Sequence, residues 1–296
     1  MADDEGWEWV LGTFGGREHG IVARWPITDD ERRRLDEANR LLRWMTEGSG
    51  YADLQRRYHE LIAFHEDLRD DFTQGEFLGA LTLDEFGRSV DVLLSGLRAF
   101  EDRTKRSLSQ RYGAGEKDAF AADFSAAYDE FFGFRFCCRL RNYSQHCGNP
   151  VATFRATARE AENDANEVVF EPVFDARHLV DDYDGWSTVG AELEAIGGQF
   201  DLMPVIGEMM SGAAVVHAKL MVRHEASIRQ AYGLIHDLAG RVDGPGAPAV
   251  IGVPPDLTQD STTFDLQVMP LPMELADVAA NALRASQDIL RRRGEH

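Results

Sequence analysis

The chain has 296 residues and a formal net charge of -20, with 51 Asp+Glu against 31 Lys+Arg. Such acidity disfavours broad, nonspecific nucleic-acid binding, which depends on many cations, but it is compatible with one focused phosphate site. A hydrophobic content of 44% is enough for a buried core and excludes disorder by composition.

No apolar run approaches the ~18–20 residues that span a membrane, and the acidic start MADDEGWEW has no apolar signal core. The three cysteines fall within the short segment 137–147, which argues against a disulfide framework and for a reducing compartment. These features predict a cytoplasmic protein without membrane contact.

Helical patterns dominate the first half of the chain. Residues 1–27 carry tryptophans and glycines and predict a short β-hairpin or an irregular cap. Thr28 and Glu31 form a capping-box pattern, after which apolar residues recur at helical spacing. The predicted helices lie near residues 28–47, 51–72, 82–112 and 116–147, the last passing across or around Gly133. Gly148 and Pro150 end the fourth helix.

After Pro150 the pattern changes. Residues 151–157 and 167–174 predict the two strands of a hairpin, and Pro172 suits an edge strand because it has no N–H to donate. The elements predicted further along are a helix from 186 to 197, a helix from 202 that reaches as far as 240, short strands near 250–253 and 264–269, and a helix from 272.

The predicted fold is mainly α, a helical bundle with a small appended β-hairpin and short C-terminal strands. We expect an N-terminal cap or hairpin over residues 1–27 and a helical domain over 28–240. That domain carries the β-hairpin insertion near 151–177. The C-terminal strands and helix, over 241–296, are expected to pack on the same domain.

One segment, 131–159, departs from the overall acidity. It contains no acidic residue, whereas the composition of the chain predicts about five in a segment of that length. It holds His146, all the cysteines and five arginines, namely Arg135, Arg139, Arg141, Arg155 and Arg159. A local cationic patch on an anionic protein predicts a site for an anion such as a phosphate.

At the centre of this segment the sequence RNYSQH runs from Arg141 to His146. It resembles the R-x4-6-H motif of the HEPN superfamily, in which a polar residue, often Asn, follows the Arg. That family is all-α and usually dimeric, and many members are metal-independent ribonucleases of toxin–antitoxin, phage-defence and CRISPR systems. The resemblance covers this motif and its helical setting only.

The residue types of the motif suit RNA cleavage without a metal. Such cleavage needs a base for the 2′-OH proton, a cation for the crowded phosphorane and an acid for the leaving oxygen. Histidine can take either proton-transfer role, and arginine offers a fixed fork of donors to phosphate oxygens. Asn can orient the imidazole or bind a non-bridging oxygen. The predicted catalytic residues are therefore Arg141, Asn142 and His146, and the predicted phosphate- or RNA-binding residues are Arg135, Arg139, Tyr143 and Gln145.

Helical geometry complicates this assignment. On one ideal helix Arg141 and His146 lie about 140° apart, whereas Arg139 and Asn142 share the face of His146 to within about 40°. Either the helix unwinds near Gly148, or a two-fold axis brings a second copy of the motif alongside. HEPN-type enzymes, by resemblance, use the second arrangement, and the dimer would then supply one histidine as base and another as acid.

Two further features limit the chemistry. Some HEPN toxins carry Tyr two residues after the His, where this chain has Gly148. The modification of those toxins by an antitoxin nucleotidyltransferase is therefore not implied for this chain.

Adjacent Cys137 and Cys138 point about 100° apart on a helix and rarely share a metal. Cys147 extends an apolar stripe and is predicted to be a buried thiol. The sequence predicts no metal and no cofactor.

These patterns favour a metal-independent endoribonuclease of HEPN type, a homodimer that acts on RNA. The resemblance implies a toxin or phage-defence effector and leaves room for a neutralising partner protein. The alternative is a non-catalytic HEPN-like module that binds RNA, a nucleotide or a partner protein through the same basic patch. In a third interpretation the chain is a helical scaffold, whose Arg and His only close a helix end.

Overall fold

A computed structural model describes residues 7–15, 20–75, 79–160, 166–255 and 266–295. In chain order, the elements are β1 (Glu8–Phe14), β2 (Ile21–Pro26), α1 (Asp29–Arg43), a π-helical turn (Trp44–Gly48), α2 (Tyr51–Thr73), α3 (Ala80–Tyr112), α4 (Ala114–Glu130), α5 (Phe132–Cys147), β3 (Thr153–Glu160), β4 (Asn166–Asp175), α6 (Ala176–Asp182), α7 (Thr188–Ile196), β5 (Gln199–Asp201), α8 (Leu202–Arg223), α9 (Glu225–Gly240), β6 (Ala247–Val253), β7 (Gln267–Pro270) and α10 (Met273–Arg292). The fold is mainly α with a β-hairpin and short C-terminal strands, which confirms the predicted fold class.

The helix starts show how local sequence sets the boundaries. Thr28 and Glu31 form the predicted capping box at the start of α1, with Thr28 Oγ1 accepting from Glu31 N at 3.2 Å and Glu31 Oε2 accepting from Thr28 N at 2.9 Å. Helix α3 begins at Ala80, before the start predicted at Thr82. Its N-cap residue is Gly79, which has no side chain to form a capping hydrogen bond. The single helix expected from 202 to 240 is two helices, since His224 leaves the helical conformation (φ -99°, ψ 12°).

The chain divides into two compact units that cut across the segments expected from the sequence. One unit comprises residues up to 46 and 221–287, and the other comprises 47–220 and 288–296. The physical reason lies in sheet pairing: β1 pairs with β6 along its whole length, so strands from both ends of the chain fold together.

The first unit contains a four-stranded antiparallel sheet in the order β2-β1-β6-β7. Leu11 lies opposite Trp25 on one side and Val250 on the other, and both Leu11 and Val250 are fully buried. The register shifts after Leu11, and a Cβ on Gly12 would come within 2.1 Å of the Val22 carbonyl oxygen, so this position requires glycine. Helix α1 packs against α9.

The second unit is a bundle in which α3 contacts α2, α4 and α5. Its buried aromatic core includes Phe86, Phe100, Phe120 and Phe134. The predicted hairpin is present as β3 and β4, and β5 adds a third strand in the order β3-β4-β5. The edge-strand assignment from Pro172 was therefore wrong. Proline is tolerated there because β5 pairs only with residues 173–175, so β4 is unpaired on that side at residue 172.

Helix α5, which carries the motif, is anchored at its start and open at its end. The Glu208 carboxylate of α8 accepts from the backbone N–H groups of Phe132 (3.1 Å) and Gly133 (2.8 Å), which otherwise lack helical partners. A Cβ on Gly133 would lie 2.2 Å from the Val205 carbonyl oxygen, so glycine permits this close approach. The helix remains α-helical to Cys147, and Gly148 (φ 108°) follows. Its last three residues are exposed.

Helix α8 is, among the described residues, the one helix long and apolar enough to cross a membrane by length and composition. Its apolar window has a mean hydropathy of 1.3, and 61% of that window is buried inside the structure. Glu208, His217 and Lys219 interrupt its apolar sequence. A core helix of a soluble protein meets the same criteria, so α8 alone assigns no membrane role.

Candidate functional site

A cavity of about 550 Å³ lies beside the motif helix. It falls within the range of about 300–1,000 Å³ that is usual for small-molecule sites. Helices α3, α4 and α5 of the second unit all contribute side chains to it. The lining residues are Leu94, Leu97, Arg98, Glu101, Lys105, Ala121, Phe124, Ser125, Tyr128, Cys137, Cys138, Arg139, Arg141 and Asn142.

The charge of this cavity is opposite to that of the chain. Its lining contains four cationic side chains, Arg98, Lys105, Arg139 and Arg141, and one acidic side chain, Glu101. Concentrated positive charge in a concave site attracts anions even on a protein with an overall negative charge. The cavity is therefore a candidate anion site, and its composition suits phosphate.

Glu101 holds the two cations of α3 in place. It is only 13% exposed, and it accepts from Arg98 Nη1 at 2.7 Å and from Lys105 Nζ at 2.5 Å. The Asp102 carboxylate adds a second contact to Arg98, at 3.0 Å from Nε. These are i,i+3 and i,i+4 pairs on one helix, whose geometry orients the side chains at a small energetic gain.

Arg139 is oriented from the neighbouring helix α4. Its Nε donates to the Tyr128 hydroxyl at 3.0 Å, and its guanidinium carbon lies 5.9 Å from the centroid of the Tyr128 ring. No acidic side chain of the described residues forms an ion pair with Arg139. Its terminal nitrogens therefore keep their charge available to a ligand in the cavity.

Arg141 has an unmet hydrogen-bonding requirement. It is partly buried and lines the cavity, and its Nε is buried without a hydrogen-bond partner among the described residues. A buried donor left in this state costs about 1–3 kcal/mol. Because this atom is inaccessible to solvent, an acceptor such as a phosphate oxygen reaches it only with a shift of the Arg141 side chain, which already lines the cavity. Asn142 lines the same cavity, so the structure brings together Arg139, Arg141 and Asn142 of the predicted site.

His146 is not part of this group. It does not line the cavity, and it lies exposed in the last turn of α5 with its ring stacked on Tyr183, at a centroid distance of 6.2 Å and an interplanar angle of 14°. Tyr183 also makes edge contacts with Tyr143 and Trp186, which hold it in place. Within one chain, the predicted histidine and arginine therefore face different surroundings.

The remaining predicted binding residues have mainly structural contacts. Arg135 is bound in a two-pronged ion pair by Glu192 of α7, with Nε 2.8 Å from Oε2 and a second contact from Nη2 to Oε1. Hydrogen bonding to Glu192 raises the pKa of Arg135 above its usual value. Tyr143 is buried, donates its hydroxyl to Asp182 Oδ2 at 3.3 Å, and has its pKa raised to about 12 chiefly by burial. Gln145 is exposed outside the cavity.

Acidic residues from other parts of the sequence also neutralise part of segment 131–159. Arg155 contacts Glu171 at 2.8 Å, and Asp201 lies against the same guanidinium. The side chain of Arg159 lies outside the described part of the chain. The positive charge of segment 131–159 therefore remains where α5 lines the cavity, whereas carboxylates from other elements neutralise the charges of Arg135 and Arg155.

The cysteines differ in environment. Burial raises the pKa of Cys137 well above its usual range and that of Cys138, which lines the cavity, to about 12, so both thiols stay protonated at neutral pH. The prediction that Cys147 is buried was wrong. Cys147 is exposed because it is the last residue of α5 and extends past the core, where its Sγ lies 3.4 Å from the Asp182 carbonyl oxygen. Over the described ranges, no group of three or more His, Cys, Asp or Glu is arranged to hold a metal ion.

Sequence reasoning missed the contribution of α3 and α4 to the site. Arg98, Glu101 and Lys105 have the spacing of ordinary surface ion pairs on a helix, and Tyr128 has that of a core-facing residue. The available signal was the concentration of arginines in segment 131–159, which needs some neighbouring surface to complete a cavity.

Neither a protein-family model, nor a curated protein, nor a solved structure matches this chain. The likeness of the segment from Arg141 to His146 to the HEPN motif therefore remains a prediction from those residues.

Proposed function

We propose that this protein is a metal-independent endoribonuclease that acts as a homodimer. Arg141 and Asn142 of one copy bind the scissile phosphate, and His146 of a second copy takes the 2′-OH proton as base and then delivers it as acid to the leaving 5′-oxygen. The observation that carries this proposal is the division of the motif: Arg141 faces the cavity with a buried, unpartnered Nε, while His146 is exposed outside it on the same helix.

The chemistry supports each role. The guanidinium of Arg141 can donate to non-bridging phosphate oxygens and stabilise the charge that accumulates on them in the transition state. Arg139, held by Tyr128, adds a second cation in the same cavity. An exposed imidazole stacked on Tyr183 has a restricted ring orientation and is still accessible to a second molecule. By resemblance, the proposal extends to a toxin or phage-defence effector with a neutralising partner protein.

The test is RNA cleavage by purified protein in EDTA, compared with the His146→Ala variant. We expect cleavage by the native sequence and none by the variant, whose unfolding free energy should change by no more than about 1–2 kcal/mol because His146 is exposed. His59→Ala, which removes another exposed histidine of the second unit, is the matched control and should retain cleavage. Equal cleavage by the native chain and His146→Ala would refute the proposal.

A second candidate function is supported by the cavity itself. Its four cations and Asn142 are brought together within one chain without His146. This arrangement suits a non-catalytic module that binds RNA or a nucleotide through its phosphate. Binding of a phosphorylated ligand by the native chain without any RNA cleavage would favour this function.

A further inference from the structure

The cavity beside α5 has two chemically different linings. Its apolar side chains include Leu94, Leu97, Phe124 and Cys137, all of which are buried. Its polar side chains include the four cations together with Ser125, Tyr128 and Asn142. Sites for small organic ligands combine an apolar surface with a few placed polar groups in this way. A bare inorganic anion would leave the apolar lining without a partner.

The cationic lining also extends beyond the motif helix. Arg98 and Lys105 are seven positions apart on α3, which corresponds to about 10 Å along the helix axis. Glu101 lies between them and binds both, so the two cations are held as a pair. Together with Arg139 and Arg141 they surround more space than one phosphate group fills. The ligand must therefore offer a larger body along with its charge.

The amount of positive charge indicates the kind of phosphate. An internal phosphodiester carries one negative charge, whereas a terminal phosphate carries about -1.5 to -2 at pH 7. Glu101 and Asp102 together offset two of the four cations, Arg98 and Lys105. The two cations that remain, Arg139 and Arg141, match a dianion, which is the charge of a terminal phosphate and also of the phosphorane that forms from a diester during cleavage.

We infer that this cavity binds a nucleoside phosphomonoester, with the phosphate on the cations and the nucleoside against the apolar lining. The inference rests on the proposed function in taking the cavity as the phosphate site, and it adds Arg98 and Lys105 of α3 as ligand-binding residues. The same chemistry occurs in a free nucleotide and at the phosphorylated end of an RNA.

Calorimetric titration of the full chain with each of the four nucleoside 5′-monophosphates tests the inference. We expect at least one to bind more tightly than its unphosphorylated nucleoside and than inorganic phosphate. Arg141→Gln and Lys105→Gln should each weaken that binding roughly 10- to 100-fold, since each removes a charged hydrogen-bond donor. Arg106→Gln removes an exposed cation of the same helix outside the cavity and should leave the affinity unchanged. Thermal unfolding of each variant confirms that it is folded.

Two oligoribonucleotides, one with a 5′-phosphate and one with a 5′-hydroxyl, show whether the ligand is a free nucleotide or an RNA end. Tighter binding of a 5′-phosphorylated oligomer than of the mononucleotide assigns an RNA end, and equal binding assigns a free nucleotide. If no nucleoside monophosphate binds, if the Arg141→Gln and Lys105→Gln variants bind it as well as the native chain, or if a 5′-hydroxyl oligomer binds as tightly as the phosphorylated one, the inference is overturned.

The His146→Ala variant separates this inference from the proposed nuclease. It should bind the nucleotide with native affinity, because His146 does not line the cavity. In the native chain, absence of RNA cleavage with intact nucleotide binding refutes the nuclease alone. RNA cleavage without nucleotide binding refutes the inference alone.

Discussion

Arg141 and His146 lie on the same helix, but only Arg141 faces the cavity, whereas His146 stacks on Tyr183 outside it. Rotation about the helix axis does not account for this difference, because Asn142 shares the face of His146 and lines the cavity; His146 lies about one turn further along α5, beyond the cavity. Unwinding of the helix end does not remove this separation, because α5 stays α-helical through Cys147. A second copy of the chain is therefore the simplest source of a histidine for the phosphate that Arg141 would bind.

The first prediction distinguishes Arg141 from Arg139. Arg141→Lys should lower the rate of RNA cleavage by about 10²–10³-fold, because an ammonium cannot reproduce the paired donors of a guanidinium. Arg139→Lys should be milder, since Arg139 already uses its Nε on the Tyr128 hydroxyl and contributes mainly charge. The measurement is a side-by-side cleavage assay on one RNA at fixed salt. A larger loss for Arg139→Lys would identify Arg139 as the phosphate-binding residue instead.

The second prediction concerns Arg135. Its ion pair with Glu192 joins α5 to α7, and its side chain is 16% exposed. Arg135→Met keeps most of the aliphatic length but removes the charge, so the unfolding free energy should fall by about 1–2 kcal/mol. Urea denaturation measures this change, and RNA binding per folded molecule should stay native. Native stability with weakened RNA binding would instead place Arg135 at the RNA.

A third prediction follows from the cysteine environments. Burial raises the pKa of Cys138 to about 12, so its reactive thiolate is almost absent at pH 8. Cys147 is exposed, and iodoacetamide should label it first in the native protein. Peptide mass spectrometry after brief treatment at pH 8 measures the order of labelling, and Cys147→Ser should remove the rapid reaction. Labelling of Cys138 as fast as Cys147 would show that the cavity wall is open to reagent.

Local sequence patterns predicted most helices and the hairpin because caps and apolar periodicity act over a few residues. Thr28 and Glu31 marked the start of α1, and the spacing of apolar residues marked the buried face of α5. The pairing of β1 with β6 was not predictable in the same way. Those strands are more than 200 residues apart in the sequence, and the pattern of each indicates a buried strand without indicating its partner.

The candidate site was also predicted only in part, because the sequence does not show which distant residues come together. The RNYSQH segment indicated Arg141 and Asn142, which do line the cavity. The absence of acids in segment 131–159 could not show that Glu192 and Glu171 would neutralise Arg135 and Arg155 from other elements. Likewise, Lys105 became a cavity residue only through the packing of α3 against α5. Tertiary contacts decide which arginines of a basic segment remain available.

The central claim is that Arg141 of one copy works with His146 of another. It is tested most directly by co-expressing Arg141→Ala and His146→Ala chains with different affinity tags and purifying the doubly tagged dimer. Each variant alone should be inactive, and the mixed dimer should regain about half of the native cleavage rate, since one of its two sites pairs an intact Arg141 with an intact His146. A mixed dimer that forms and stays inactive, or a doubly tagged species that never forms because the chain is monomeric, would contradict the claim.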